Sequence, residues 1–175
     1  MNRRKHSHSL SQLLLLLSCL APLQHSWAIV CYHCDSIALP ECAQTRGEVG
    51  VLPFKECRSE LTCIMSIVDT ITYRGCGVET PTTEATYSKR CSANLCNGSV
   101  YPPGRLKCHH CASSNCMAAP TAKPVPCLYH QEVDHCYTEW FSATLAYRGC
   151  ISDSNHTVSQ TARLCDYNGC NDAAA

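Results

Sequence analysis

The chain has 175 residues, with 14 Lys and Arg against 14 Asp and Glu, and it carries 17 cysteines. The balanced charge gives no indication of a basic surface for nucleic acid or anionic lipid. About one residue in ten is cysteine, which points to an oxidising compartment and a disulfide scaffold.

The first 28 residues read as a secretory signal peptide. Arg3, Arg4 and Lys5 precede a short apolar run, Leu13 to Leu17, that continues through Leu20 and Leu23. Ser26-Trp27-Ala28 offers small residues at a cleavage site, so cleavage is expected after Ala28. Ser18, Pro22 and Gln24 interrupt the run, which is shorter than the ~20 residues a spanning helix needs. Cleavage removes three of the 14 basic residues and none of the 14 acidic ones, leaving a net charge of −3. It also removes Trp27 and Cys19, so that Trp140 is the sole tryptophan and 16 of the 17 cysteines remain, an even number suited to full pairing. Only Asn171, Asp172 and three alanines follow Cys170, with no room for the spacer and apolar tail of a lipid-anchor signal. A soluble, secreted, extracellular protein is therefore expected.

Two blocks of eight cysteines follow. The first, residues 29–97, contains Cys31, Cys34, Cys42, Cys57, Cys63, Cys76, Cys91 and Cys96. The second, residues 107–171, contains Cys108, Cys111, Cys116, Cys127, Cys136, Cys150, Cys165 and Cys170. Both open on Cys-x-x-Cys and close on Cys-x4-Cys-Asn, at Asn97 and Asn171. Tyr73-Arg74-Gly75-Cys76 recurs as Tyr147-Arg148-Gly149-Cys150. Such agreement reads as a tandem duplication. Residues 98–106, with Pro102-Pro103 between Gly98 and Gly104, form a stiff linker, and residues 172–175 a short tail. Each block is poor in large aliphatics and marginal by burial alone. Four bridges at about 2–4 kcal/mol each would stabilise it by restricting the unfolded chain.

The local signals are for strand. Cys63 to Tyr73 is rich in β-branched residues, with Asp69 as its turn former, which predicts a hairpin tip near Val68 to Thr70. Its counterpart, Cys136 to Tyr147, is expected to place Trp140-Phe141-Ser142-Ala143 at the tip. Residues 79–82 and 152–155 have loop chemistry and predict a further hairpin in each block.

These features resemble the Ly6/uPAR (three-finger) family, over nearly all of residues 29–171. The paired Arg-Gly-Cys looks most like secreted, two-domain insect members. The resemblance implies two all-β, disulfide-rich three-finger domains. One bridge of the usual ten-cysteine pattern is absent from both copies, at Arg90 and Leu164 and earlier in finger three. The implied pairing is Cys31–Cys63, Cys34–Cys42, Cys57–Cys76 and Cys91–Cys96, then Cys108–Cys136, Cys111–Cys116, Cys127–Cys150 and Cys165–Cys170. Spacing alone leaves 105 connectivities per domain. The family also implies a structural role for Asn97 and Asn171 at the base of the fingers.

Asn155-His156-Thr157 is a glycosylation sequon where a finger tip is expected, and occupancy is expected there. Asn97-Gly98-Ser99 is a second sequon, disfavoured because its asparagine is the structural one. His33, His109 and His110 inside Cys-x-x-Cys suggest zinc, but each domain has a single such pair in a compartment that oxidises thiols, so no metal or cofactor is expected. Trp140 and Phe141 are candidate partner contacts, weighed against a Trp140 that covers the core or packs on the first domain. Val68 and Asp69 are their weaker counterparts. Arg74 and Arg148 read as braces for a neighbouring strand. No nucleophile–base set is apparent. The expectation is a non-catalytic module that binds an extracellular receptor, channel, adhesion complex or secreted enzyme such as a phospholipase A2. The alternative is a crosslinked component of a matrix, cuticle or egg coat.

Overall fold

The computed structural model describes residues 28–44, 52–58 and 60–173. Apart from Ala28, the expected signal peptide lies outside the described residues, as do the last two residues of the tail. The chain forms two small, disulfide-rich all-β modules in tandem.

Module one contains β1 (Ile29–Tyr32), β2 (Cys34–Asp35), a one-turn helix α1 (Glu41–Gln44), β3 (Phe54–Cys57), β4 (Cys63–Val68), β5 (Ile71–Cys76) and β6 (Tyr87–Cys91). β1 pairs antiparallel with β3, and the others form a four-stranded sheet in the order β2-β5-β4-β6. Module two repeats this with β7 (Lys107–Cys108), β8 (Cys111–Ser113), β9 (Val125–Pro126), β10 (Cys136–Ser142), β11 (Leu145–Cys150) and β12 (Arg163–Cys165). There β7 pairs with β9, and the sheet runs β8-β11-β10-β12. The shared topology gives physical form to the duplication read from the cysteine spacing.

Ile64, Met65, Ser66 and Ile67 of β4 are all buried, so both faces of that strand are covered. β-Branched side chains suit such a position because their restricted rotamers lose little further freedom there. The centre of each module is nevertheless made of sulfur: Cys31, Cys57, Cys63 and Cys76 around Ile29 in one, and Cys108, Cys127, Cys136 and Cys150 in the other. Eight bridges join the pairs that the family resemblance implies.

The β4–β5 hairpin turns at Asp69 and Thr70, whose φ angles of 48° and 72° put both in the left-handed region. Two such residues give the turn whose twist matches the flanking strands. The second hairpin differs from expectation. Trp140 and Phe141 lie within β10, and Ala143 and Thr144 make the tip. The register moves from Trp140 opposite Ala146 to Ser142 opposite Leu145, leaving Phe141 as a β-bulge. Module two has one more residue than module one between the fifth and sixth cysteines, and the bulge absorbs it.

The expected third hairpins also need correction. β6 pairs with β4 and β12 with β10, while the outgoing limbs after Cys76 and Cys150 are turns and loops. Pro81 has no N–H for a ladder, and residues 151–153 close into a 3-10 turn, so neither outgoing limb pairs with its returning strand.

The modules touch. Arg105 of the linker is buried and donates through Nη1 to Thr72 Oγ1 of module one at 2.7 Å. Its Nε and Nη2 reach Cys127 O at 2.8 Å and Leu128 O at 2.6 Å in module two.

Candidate functional site

The closing Cys-x4-Cys-Asn works as a latch in each module. Asn97 Oδ1 accepts from Tyr32 N at 3.0 Å, and its Nδ2 donates to Tyr32 O at 3.0 Å and Ile64 O at 3.1 Å. Asn171 makes the same three bonds, to His109 N at 2.9 Å, His109 O at 3.0 Å and Tyr137 O at 3.1 Å. A second asparagine in each latch escaped the sequence reading. Asn94 accepts from Val30 N at 3.0 Å, and Asn168 from Lys107 N at 2.9 Å. The signal was present, since both stand third after the penultimate cysteine of their block.

Arg74 and Arg148 fasten the latch to the sheet. Arg74 Nε donates to Cys42 O at 2.8 Å, Nη2 to Ser99 O at 2.9 Å, and Nη1 to Asn97 O and Met65 Sδ. Arg148 reaches Cys116 O at 3.0 Å, Ala173 O at 2.7 Å, Thr138 Oγ1 at 3.2 Å and Asn171 O. Burial pulls Arg74 down to about 10, with help from Arg105, so it stays charged at neutral pH. Both guanidiniums thus brace the latch, as the sequence suggested, while also lining the clefts described below.

Gly75 and Gly149 make room for a histidine. A Cβ on Gly75 would lie 3.0 Å from His33 Nδ1 and 2.5 Å from Thr80 Oγ1. On Gly149 it would lie 3.5 Å from His110 Nδ1 and 3.2 Å from Tyr137 Cε1. Each histidine borders an open cleft, of about 490 Å³ in module one and 460 Å³ in module two. Equivalent positions line both: His33, Tyr73 and Glu79 in the first, His110, Tyr147 and Asp153 in the second. The first is walled by Leu39, Pro53 and Pro81, while the second adds Tyr137 and His156.

The carboxylates in these clefts are already engaged. Glu79 pairs with Lys55 at 2.5 Å, which lowers its pKa. Asp153 accepts from Leu128 N at 2.8 Å, Tyr129 N at 3.0 Å and Ser152 Oγ at 3.1 Å. His110 Nε2 stands 3.8 Å from Asp153 Oδ2 and 3.4 Å from Cys150 Sγ. Burial pushes His110 down and Asp153 up. Cys150 is bonded to Cys127, so its sulfur is no thiolate ligand for a metal in this group.

Phe141, the bulged residue, is 54 % exposed. Its ring packs edge-on against Tyr147 at 4.6 Å and His156 at 5.7 Å. His156 also meets Tyr147 at 5.6 Å and Tyr137 at 6.0 Å, and its Nε2 lies 2.9 Å from Oε2 of the buried Glu139. Glu139 Oε1 accepts from Ser159 N at 2.8 Å, which ties the 154–159 loop to the sheet. In module one the same tie is a single neutral bond, Ser66 Oγ to Pro81 O at 2.5 Å. Ser154 Oγ lies 3.2 Å from His156 Nδ1 and donates to His156 O at 2.7 Å. That arrangement is a local turn bond, and the hydroxyl proton is directed at a carbonyl, not at the imidazole.

Trp140 is partly buried on the opposite face from Phe141, in a small cavity with Thr138, Leu164, Tyr167 and Ala173. The latch and tail of its own module line the same cavity. Val68 is half-buried at the end of β4, and Asp69 is exposed in the turn. Asn155 is exposed on the loop that His156 anchors, whereas Asn97 is fully buried with its amide nitrogen donating to two carbonyls. In comparisons with known proteins, no family model and no curated protein matches the chain.

Proposed function

We propose that the chain is a secreted, non-catalytic, two-domain protein of the Ly6/uPAR three-finger kind. It binds an extracellular protein through the Phe141 face of module two. Three features support the family reading: the repeated sheet order, the disulfide pairing, and the asparagine latch present in both copies. The observation that carries the binding reading is Phe141, an exposed aromatic held rigid by Tyr147 and His156. An anchor immobilised before binding loses little side-chain entropy on association. The partner class is a receptor, channel, adhesion protein or secreted enzyme.

Proximity labelling in the native tissue, followed by titration of the purified chain against the partner found, tests this. Saturable binding that falls at least about tenfold in Phe141→Ala, with all eight bridges intact by mass, is the expected result. An insoluble, crosslinked product with no saturable partner would support the matrix reading instead.

A further inference from the structure

His130 stands at one part of the contact between the modules, which also includes the bond from Arg105 to Thr72 and the packing of α1 on β9. Its backbone N donates to Thr70 O, in the turn of module one, at 3.1 Å. Its ring stands edge-on to Tyr87 of β6, centroid to centroid 5.0 Å. Tyr87 in turn meets Tyr101 of the linker at 6.4 Å. Nε2 of His130 is buried and, among the described residues, has no hydrogen-bond partner. His130 and the buried Arg105 line one open cleft together with Glu132, Asp134 and Asp166. Arg105 is bonded to Thr72 of module one, and burial together with the Arg105 charge lowers the pKa of Arg74 of β5.

We propose that this junction is an acid-sensitive lock, in which protonation of His130 releases module two from module one. A neutral imidazole leaves Nε2 unpaired but brings no charge into the site. A proton on Nε2 adds a buried donor without an acceptor and a charge beside Arg105, which is itself held by four hydrogen bonds and cannot turn away. Tyr87 of module one faces the ring, and Arg105 of the linker with Glu132, Asp134 and Asp166 of module two share the cleft that His130 lines. Glu132 and Asp134, on the loop that carries His130, favour the proton, but burial and Arg105 act more strongly and lower its pKa.

Burial of the His130 ring against Tyr87 lowers its pKa, and that part of the shift favours the docked state above the free pKa of ~6.5. That preference declines as pH falls from there toward the docked value. For each unit by which docking lowers the pKa, full protonation weakens the docking constant about tenfold.

The test uses the full secreted chain and ¹⁵N relaxation, which reports whether the modules tumble together. Between about pH 7.5 and about pH 5, a range that spans histidine titration, wild type should pass from common to separate tumbling. His130→Phe keeps a ring on Tyr87 and the backbone bond to Thr70, and should stay docked throughout. Common tumbling of wild type at the lower pH, or the same transition in His130→Phe, overturns the proposal. Should His130→Phe be undocked at every pH, the ring-proton titration of His130 in wild type decides. A midpoint below the free value that coincides with separation supports the lock, and a midpoint at or above it refutes it.

Discussion

Asn97 and Tyr32 exchange two hydrogen bonds, side-chain oxygen from backbone N–H and side-chain N–H to backbone oxygen, each 3.0 Å long. The amide thereby imitates a β-strand residue and joins the end of module one to its first strand. Asn97→Ala leaves Tyr32 N, Tyr32 O and Ile64 O buried and unpaired. The expected loss is about 3 kcal/mol or more, at roughly 1–3 kcal/mol per unsatisfied group. Asn94→Ala removes one bond at an exposed position and should cost about 1 kcal/mol. Guanidinium unfolding with the disulfides intact compares the two, and equal losses would contradict this account of the latch.

The glycines under the cleft histidines should respond differently to the same substitution. Gly75→Ala drives a methyl to 2.5 Å from Thr80 Oγ1, whose hydroxyl is held by Cys76 O at 2.8 Å. Gly149→Ala meets nothing nearer than 3.2 Å. Overpacking of the first kind costs about 1–3 kcal/mol, and the second should cost less than about 1 kcal/mol. Thermal unfolding of the two variants ranks them, and the reverse order would count against the packing described.

Arg105→Met should separate the modules without unfolding them. The substitution removes the bond that crosses to Thr72 of module one and the three that fix Arg105 to the linker and module two, but touches none of the bridges. Intact-mass analysis is expected to show all eight disulfides, while small-angle scattering shows a longer particle and protease cuts the linker faster. A variant as compact as wild type would mean that the junction does not depend on this residue.

Expression in a secretory host should give a glycan at Asn155 and none at Asn97. The Asn97 nitrogen donates to Tyr32 O and Ile64 O in a fully buried site, which leaves no space for a sugar once the module has folded. Asn155→Gln should remove all N-linked mass. Peptide mapping reads both sites directly, and a glycan on Asn97 would refute the buried geometry.

The sequence by itself determined the duplication, the all-β character and the identity of the repeated braces. Cysteine spacing is a local, countable property, and β-branched runs such as Ile64 to Ile71 declare strands without reference to distant residues. It placed the turn at Asp69 for the same reason. Phe141 as a bulge was not legible, although the one-residue excess between Cys136 and Cys150 was, because only pairing to β11 decides where an extra residue is expelled. The third hairpins were misjudged because a returning strand chooses its partner in space, and β4 and β10 offered better edges than Pro81 or the 151–153 turn. Tertiary structure alone brought His33 onto Gly75, His156 onto Glu139 and Arg105 onto Thr72. Each joins residues at least 17 positions apart, and no local propensity specifies that meeting. His130 shows the same limit. In the chain it is one of nine histidines, and only docking against Tyr87 and Arg105 makes its charge state matter.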